Sequence, residues 1–536
     1  MKKNKQSFMQ GVMVLMLSQI IIKFVGLIYK IYLTNKEGFG DAGNAIYSAG
    51  FQIYTLFLAI SSIGASNTVS QMISAKVAVG DNKGAYRIFK IAISIFGLIG
   101  FVGSTILFVS AKKIANSYLG IPEAEMTIMT LAPSVFMVAT SGVLRGYFNG
   151  REKIKITANS QSLEQVLKTI VTIVIVEIFA VLFKKNTTTM VAGAAIATTA
   201  STFVSFAYLY LLYIKNKQEI WKDVITSTQK EQESARKIIK NILYISLPIT
   251  ITSLLATANK TIDTFTIVNI IAKFMGADNA KLQFGILTGK IEGLVALPYS
   301  FNIAFAITLI PTISAAQARG EIDKAIKRIS FSILATILIS LPCTAVLLVF
   351  AEPILKLLFP NAYLGKTMLK LCSLSIVFVA TTQTIGGVLQ GLKRVKEPAI
   401  AIGVGAIIKL ILNLTLLQIK ELNINGAIIA TIISHIVTFI ISLYYLKKYI
   451  DIHFEIIKFI IKPIIATTTM TIISYFVYNK NLIVNSQNVN LIISLILGVI
   501  VYIITIIILK VLSKEEICML PYGNKIYKQE KHESQQ

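Results

Sequence analysis

Apolar runs long enough to cross a bilayer recur along this chain and leave little room for anything else. A spanning helix needs about 20 mostly apolar residues. Fourteen stretches meet that requirement, near 12–33, 46–73, 88–110, 126–148, 160–183, 190–214, 241–271, 286–313, 329–351, 366–391, 398–418, 426–446, 457–478 and 490–512. The expected fold is therefore an all-α integral membrane protein of 14 transmembrane helices. The run 46–73 exceeds one crossing and holds Gly50 and Gly64, so a tilted or broken helix is expected there. Run 241–271 is also long and carries charges. Composition agrees: 54% of residues are hydrophobic, 15% are charged and the mean hydropathy is +0.70. Soluble domains lie near 45–50% apolar and 25% charged. The three cysteines, Cys343, Cys372 and Cys518, show neither metal-ligand spacing nor a disulfide framework. Met1-Lys-Lys-Asn-Lys5 before an apolar stretch resembles a signal peptide, but the stretch runs past Lys23 to Leu33 with no small-residue cleavage site. A retained first helix is expected.

The formal net charge of +26 could mark a nucleic-acid partner, and its distribution argues against one. Loops on the N-terminal side of the fourteen crossings carry 30 Lys and Arg, those on the opposite side 11. Basic residues collect in cytoplasmic loops. Both termini are therefore expected in the cytoplasm, and no nucleic-acid partner is expected.

Three sequence blocks recur. Ile73-Ser-Ala-Lys-Val-Ala-Val-Gly-Asp81 returns as Ile313-Ser-Ala-Ala-Gln-Ala-Arg-Gly-Glu321, Gly142-Val-Leu-Arg-Gly146 as Gly387-Val-Leu-Gln-Gly391, and Gly193-Ala-Ala-Ile-Ala-Thr-Thr-Ala-Ser201 as Gly426-Ala-Ile-Ile-Ala-Thr-Ile-Ile-Ser434. Offsets of 240, 245 and 233 residues give a repeat of six helices, and an even number of crossings makes it parallel. Two parallel halves with a site between them near the midplane are a transporter plan. The expected domains are an N-lobe (1–218), a basic cytoplasmic linker (219–240), a C-lobe (241–450), two extra helices (451–513) and a cytoplasmic tail (514–536).

Ionisable side chains at bilayer depth cost at least about 2.5–3.5 kcal/mol each and are functional candidates by default. Lys23 and Lys30 lie two turns apart on the first run, Lys260 and Asp263 stand three apart on the seventh, and Lys290 and Glu292 lie on the eighth. Glu164 and Lys168 stand at i,i+4, where an intrahelical pair is expected. Lys260 is similarly spaced to neutralise Asp263. Lys409 and His435 complete the candidates, His435 reading more simply as a helix-packing residue. Glu177 and Lys370 lie near helix ends, where Glu177 meets water and Lys370 snorkels. The group is mostly cationic, which favours an anionic substrate such as a phosphate or diphosphate. The expected substrate-binding residues are Lys23, Lys30, Lys260 and Lys290. The coupling or cavity candidates are Glu164, Lys168, Asp263, Glu292, Lys409 and His435. No catalytic residue, metal site or cofactor is expected; the energy source would be the membrane potential or a coupled ion. There is no Walker A, HExxH or GxSxG motif. Pro133, Pro248, Pro298, Pro311 and Pro342 interrupt apolar runs.

Lys23-Phe-Val-Gly26, Tyr29-Lys-Ile31, Gly43-Asn-Ala-Ile-Tyr-Ser48, Gly80-Asp81 and, most specifically, Leu144-Arg-Gly-Tyr-Phe-Asn-Gly150 followed by Ser160-Gln161 and Glu164-Gln165 carry a family resemblance. The chain resembles the YtgP/SpoVB-type polysaccharide exporters, relatives of the MurJ lipid II flippases in the multidrug/oligosaccharidyl-lipid/polysaccharide superfamily. The resemblance implies two six-helix lobes with two further helices beside a lipid-tail groove. It also implies alternating access that carries a polyprenyl-diphosphate-linked cell-wall precursor, with lipid II foremost, across a bacterial plasma membrane, in growth or sporulation. Lys23 matches a basic position of MurJ-like chains, Lys30 falls where YtgP-like chains carry arginine, and Lys290 lies near a basic region of the eighth helix. Where the family pattern has Gly-x-Pro late in the second helix, this chain has Gly64-Ala-Ser-Asn67, so no gating role carries over to it. The expected partners are a lipid-linked oligosaccharide and membrane lipids. The competing readings are a cation-coupled multidrug exporter, whose cavity should be acidic, and a membrane glycan polymerase or glycosyltransferase. The latter usually needs paired carboxylates at a membrane face, and Glu37, Asp41, Glu123 and Glu125 show no evident pairing in sequence.

Overall fold

The computed structural model describes residues 22–227, 233–299, 302, 313, 322–452, 454–480, 486–513 and 516. Among them, twelve helices are long and apolar enough to cross a membrane. They are α2 (Gly40–Ala78), α3 (Asn82–Leu119), α4 (Ala124–Gly150), α5 (Ile154–Leu182), α6 (Thr187–Lys215), α7 (Ala235–Met275), α9 (Ala325–Val349), α10 (Lys366–Gly391), α11 (Lys396–Leu416), α12 (Asn425–Tyr449), α13 (Ile457–Asn479) and α14 (Gln487–Ile508). Two further helical segments, α1 (22–35) and α8 (277–299), are described only in part. The crossings expected over 12–33 and 286–313 therefore lie partly outside the described residues. Pro311, Cys518, most of the 514–536 tail and all but Ile313 of the second copy of the first repeat block lie outside them.

Local chemistry sets the helix limits. Asp81 caps α3 by accepting from the Gly84 amide at 2.7 Å, Asn186 caps α6 by accepting from Thr189, and Ser234 caps α7 by accepting from Lys237. Gly276, at φ 84°, ends α7 in the left-handed region that suits glycine. The long second run is one helix of 39 residues carrying a π turn at Ala59–Ile63, which widens the coil without a proline. Pro133, Pro248 and Pro342 lie inside continuous helices.

The chain divides into two compact units. The first comprises Met1–Leu294, Phe359–Leu364 and Ile402–Ser434; the second comprises Val295–Leu358, Gly365–Ala401 and His435–Gln536. The units do not follow the repeat boundary, since α7, most of α8, and parts of α11 and α12 belong with α2–α6. In the first unit a stripe of glycine sets a close helix crossing. Gly142, Gly146 and Gly150 recur every four residues on α4 and face Ser62, Ser66 and Ser70 of α2. A methyl group on Gly146 would stand 2.7 Å from the Ser66 carbonyl oxygen, and on Gly150 2.9 Å from that of Ser70. Small residues at this spacing let helix backbones approach closely in lipid, where burial of apolar surface does not drive helices together. Beside them Val69, Ile73, Phe89, Tyr147 and Phe148 form a buried core.

In the second unit α9 packs on α10 and α13, and α13 on α14. Tyr502 of α14 donates to the Leu338 carbonyl at 2.8 Å. The opposite face of α14 exposes Ile492, Ile496, Val499, Ile503 and Ile507 at helical spacing, a stripe suited to lipid.

Candidate substrate-binding site

Four ammonium groups and one carboxylate gather within the first unit. Lys30 of α1 donates to the Thr288 carbonyl of α8 at 3.0 Å. That carbonyl lies in the π turn Leu287–Ile291, a geometry that takes a carbonyl out of the regular ladder and leaves it for a side chain. Gly293 gives the lysine passage, since a methyl group there would stand 3.3 Å from Lys30 Cδ. Immediately before it on α8, Glu292 meets Lys260 of α7 at 2.6 Å. Lys168 of α5 sits 4.5 Å from the ring centre of Phe51, with Tyr29 and Tyr47 at 5.5 and 5.6 Å. The ring faces are attractive ground for a cation.

The charges near enough to act on Lys30 are Lys260, Glu292, Lys168 and Lys23, and Lys260 acts in turn on Lys23. Four cations against one anion leave this cluster at +3. Lys260 keeps 61% of its side-chain surface accessible although protein surrounds it, the combination expected of a residue lining an internal hollow. Lys23 is exposed and has no hydrogen-bond or ion-pair partner among the described residues.

A neutral pair lies beside the cluster. Lys409 of α11, 1% exposed, donates to Asp263 of α7 at 2.6 Å. Asn413, one turn on, donates to the other Asp263 oxygen and to Thr266, both at 2.9 Å. Both Lys409 and Lys30 also act on Glu292.

Several sequence expectations need correction. Lys260 pairs with Glu292 rather than Asp263, whose partner is Lys409. Glu164 does not pair along its helix with Lys168: Arg145 of α4 holds it at 2.8 Å while also bonding Ser160 and Ser205. Lys290 stands apart from the other lysines. Its ammonium is fully enclosed, 2.9 Å from Asp41 and hydrogen-bonded to the Ala362 carbonyl, so it offers nothing to a ligand in this conformation. His435 is half-buried on α12 and belongs to the second unit. Glu177 does not simply meet water but binds Lys36 at 2.5 Å and the Tyr32 hydroxyl. Three of the loop carboxylates without evident partners in sequence are paired: Asp41 with Lys290, Glu123 with Lys281 and Glu37 with Lys185.

Asp41, Arg145, Asn413 and the aromatic rings under Lys168 are parts that sequence reasoning missed. Arg145 had a usable signal, an arginine inside an apolar run. Asn413 had a weaker one, its position one turn beyond Lys409. Among the described residues no group of three or more His, Cys, Asp or Glu side chains is placed to hold a metal ion.

The family model described as polysaccharide biosynthesis protein matches residues 8–317, and a second, described as MatE, matches residues 248–415. The lipid II flippase MurJ of Bacillus subtilis (strain 168) is 24% identical over 461 residues, covering 84% of each chain. Stage V sporulation protein B of the same strain is 21% identical over 523 residues, covering 96% of this chain and 98% of its own. Among solved structures, the inward closed conformation of the lipid II flippase MurJ matches with a TM-score of 0.68 at 16% identity, covering 92% of this chain and 98% of that one. An inward-facing multidrug resistance MATE family transporter of the MOP superfamily matches with a TM-score of 0.65 at 18% identity, covering 82% and 98%. At these identities the structural likeness establishes a shared fold and leaves the cargo open.

Proposed function

The chain belongs to the polysaccharide biosynthesis protein family, and on that premise we propose that it is a flippase rather than an enzyme. Its cargo is a polyprenyl-diphosphate-linked cell-wall precursor, lipid II first among them, carried to the outer leaflet of a bacterial plasma membrane. The observation that carries this reading is the excess of ammonium groups near Lys30, with Lys23, Lys30, Lys168 and Lys260 set against the single carboxylate of Glu292. Lysine serves phosphate as a point charge, and inside a membrane such a charge is kept only where it faces a partner or a wet cavity. The same cluster disfavours a cationic drug, although the fold is shared with multidrug transporters.

In this account Lys23, Lys30 and Lys260 hold the diphosphate, and Lys168 waits on its aromatic rings beside them. The sugars occupy the wet hollow. The prenyl tail stays in lipid beside α13 and α14, and two six-helix lobes, α1–α6 and α7–α12, alternate the side of access, with both termini in the cytoplasm. Lys290 joins the mechanism as part of a closed contact with Asp41 and Ala362, not as a ligand-binding group. Asp263 with Lys409 is a built-in charge pair at the coupling position, and the membrane potential, worth about 2.3 kcal/mol per charge per 100 mV, can bias the cycle.

The test is complementation of a strain depleted of its lipid II flippase. Lys23→Ala is expected to abolish growth while the protein still reaches the membrane. Full growth would remove Lys23 from the mechanism, and an altered drug-susceptibility panel without complementation would favour a drug exporter.

A further inference from the structure

The short helix that follows α6, Lys217–Ile225, sends its charges in two directions. A turn of 3.6 residues places Glu219, Ile220 and Asp223 on one side and Lys217, Trp221, Lys222 and Ile225 on the other. The first side is bound to the body of the first unit. Ile220 is 3% exposed, within the core that holds Phe89 and Tyr147. Arg151 holds Asp223 at 2.8 Å, and Lys153 meets Glu219 at 3.3 Å. Just past the helix, the Ser227 hydroxyl accepts from the Lys83 amide and donates to the Gly80 carbonyl, both at 3.3 Å. Both acids of the helix are thus taken up by basic residues of the protein. Its lysines are not. Lys217 and Lys222 are exposed, with no ion-pair partner among the described residues, and between them stand Trp221 and Ile225, 52% and 71% exposed.

The depth of this open side indicates what covers it. Trp221 stands edge-on to Tyr86, near the start of α3, at 6.0 Å. The Lys90 ammonium lies 5.1 Å from the centre of the same tyrosine ring. Past Lys90 the exposed face of α3 turns apolar, with Leu98 and Phe101 open. On the other flank, α6 exposes Leu211 and Ile214 just before the helix begins. Aromatic rings and lysines at the boundary between an apolar helix face and a polar loop mark headgroup depth. An indole and an aliphatic side chain between two unpaired lysines, on a helix at that depth, form a face complementary to an anionic lipid surface.

We propose that this linker helix docks on the anionic headgroup layer of the cytoplasmic leaflet, with Trp221 and Ile225 entering its apolar boundary and Lys217 and Lys222 meeting lipid phosphates. The inference rests on the cytoplasmic placement of the linker proposed above and not on the identity of the cargo. It makes the segment between the sixth and seventh crossings sensitive to the charge of the leaflet it lies on.

Trp221 is the only tryptophan of the sequence, so the native fluorescence of the full-length protein reads this helix. The probes are brominated phosphatidylglycerol and brominated phosphatidylcholine, compared as quenchers at equal mole fraction in phosphatidylcholine nanodiscs. Phosphatidylglycerol is expected to show a relative binding constant about fivefold higher, the factor that one lysine contributes at an anionic surface. Salt at about 1 M, where the screening length falls to about 3 Å, should remove that preference. Lys217→Gln combined with Lys222→Gln should remove it at low salt while the unfolding temperature keeps its parental value. Equal binding constants for the two lipids or an unchanged preference in the double variant would overturn the proposal. So would a lack of quenching by either lipid with full access to aqueous acrylamide, the signature of a face open to water or to a soluble partner. Lys30→Ala combined with Lys260→Ala, which damages the transport site, should leave the lipid quenching intact, so failure of the flippase reading and failure of this one are told apart.

Discussion

Lys409 and Asp263 form a buried ion pair in the first unit. Their side chains are 1% and 7% exposed, and Asn413 occupies the second carboxylate oxygen. Removing one member of such a pair leaves an unpaired buried charge and typically costs about 3–5 kcal/mol, whereas replacing both is far less damaging. Lys409→Met is therefore expected to lower the unfolding temperature in detergent sharply, and the double variant Lys409→Met with Asp263→Asn to recover most of it. A single variant as stable as the parent would contradict the pairing. The sequence made these charges easy to find, because Lys23, Lys30, Lys260, Glu292 and Lys409 stand out in apolar runs. It did not reveal their partners. Pairing along one helix can be read from spacing, but Lys260 with Glu292, Lys409 with Asp263 and Arg145 with Glu164 each join two helices. Asp41 looked like a loop carboxylate because nothing in the spacing brings Lys290 to it.

The helices themselves were largely legible, since about 20 apolar residues in lipid admit few alternatives. Twelve of the expected runs are helices of crossing length. The internal shape of each was harder to read. A π turn such as Ala59–Ile63 leaves no residue signature comparable to proline, and the long run 46–73 announced only that something in it must differ. The glycine stripe on α4 was visible as repeated motif letters, while its packing role needed the partner backbone of α2. Gly146→Val is expected to destabilise the first unit by about 1–3 kcal/mol, as overpacking does, because the Ser66 carbonyl oxygen is backbone and cannot move aside cheaply. Gly386 has nothing within 4 Å of an added methyl group, so Gly386→Ala is the matched control and should be tolerated. Equal unfolding temperatures for the two variants would remove the glycine stripe from the account.

At the scale of the whole chain, the net charge of +26 is divided unevenly between the two sets of loops, and the proposed orientation rests on that division. With Cys343 and Cys372 replaced by alanine, Cys518 in the tail is expected to react with a membrane-impermeant maleimide only after cells are permeabilised. Labelling of intact cells would reverse the proposed topology. The proposed mechanism requires that ammonium groups from α1 and α7 converge to hold a diphosphate. It is tested most directly in proteoliposomes by following fluorescent lipid II and a neutral polyprenyl-linked sugar across the bilayer, with the parent protein and with Lys30→Ala combined with Lys260→Ala. Transport of lipid II but not of the neutral lipid is expected, with a loss of at least about tenfold in the double variant, the effect expected for lost charge-assisted contacts. Lipid II transport at the parental rate in that variant, or equal transport of the neutral lipid by the parent, would contradict it.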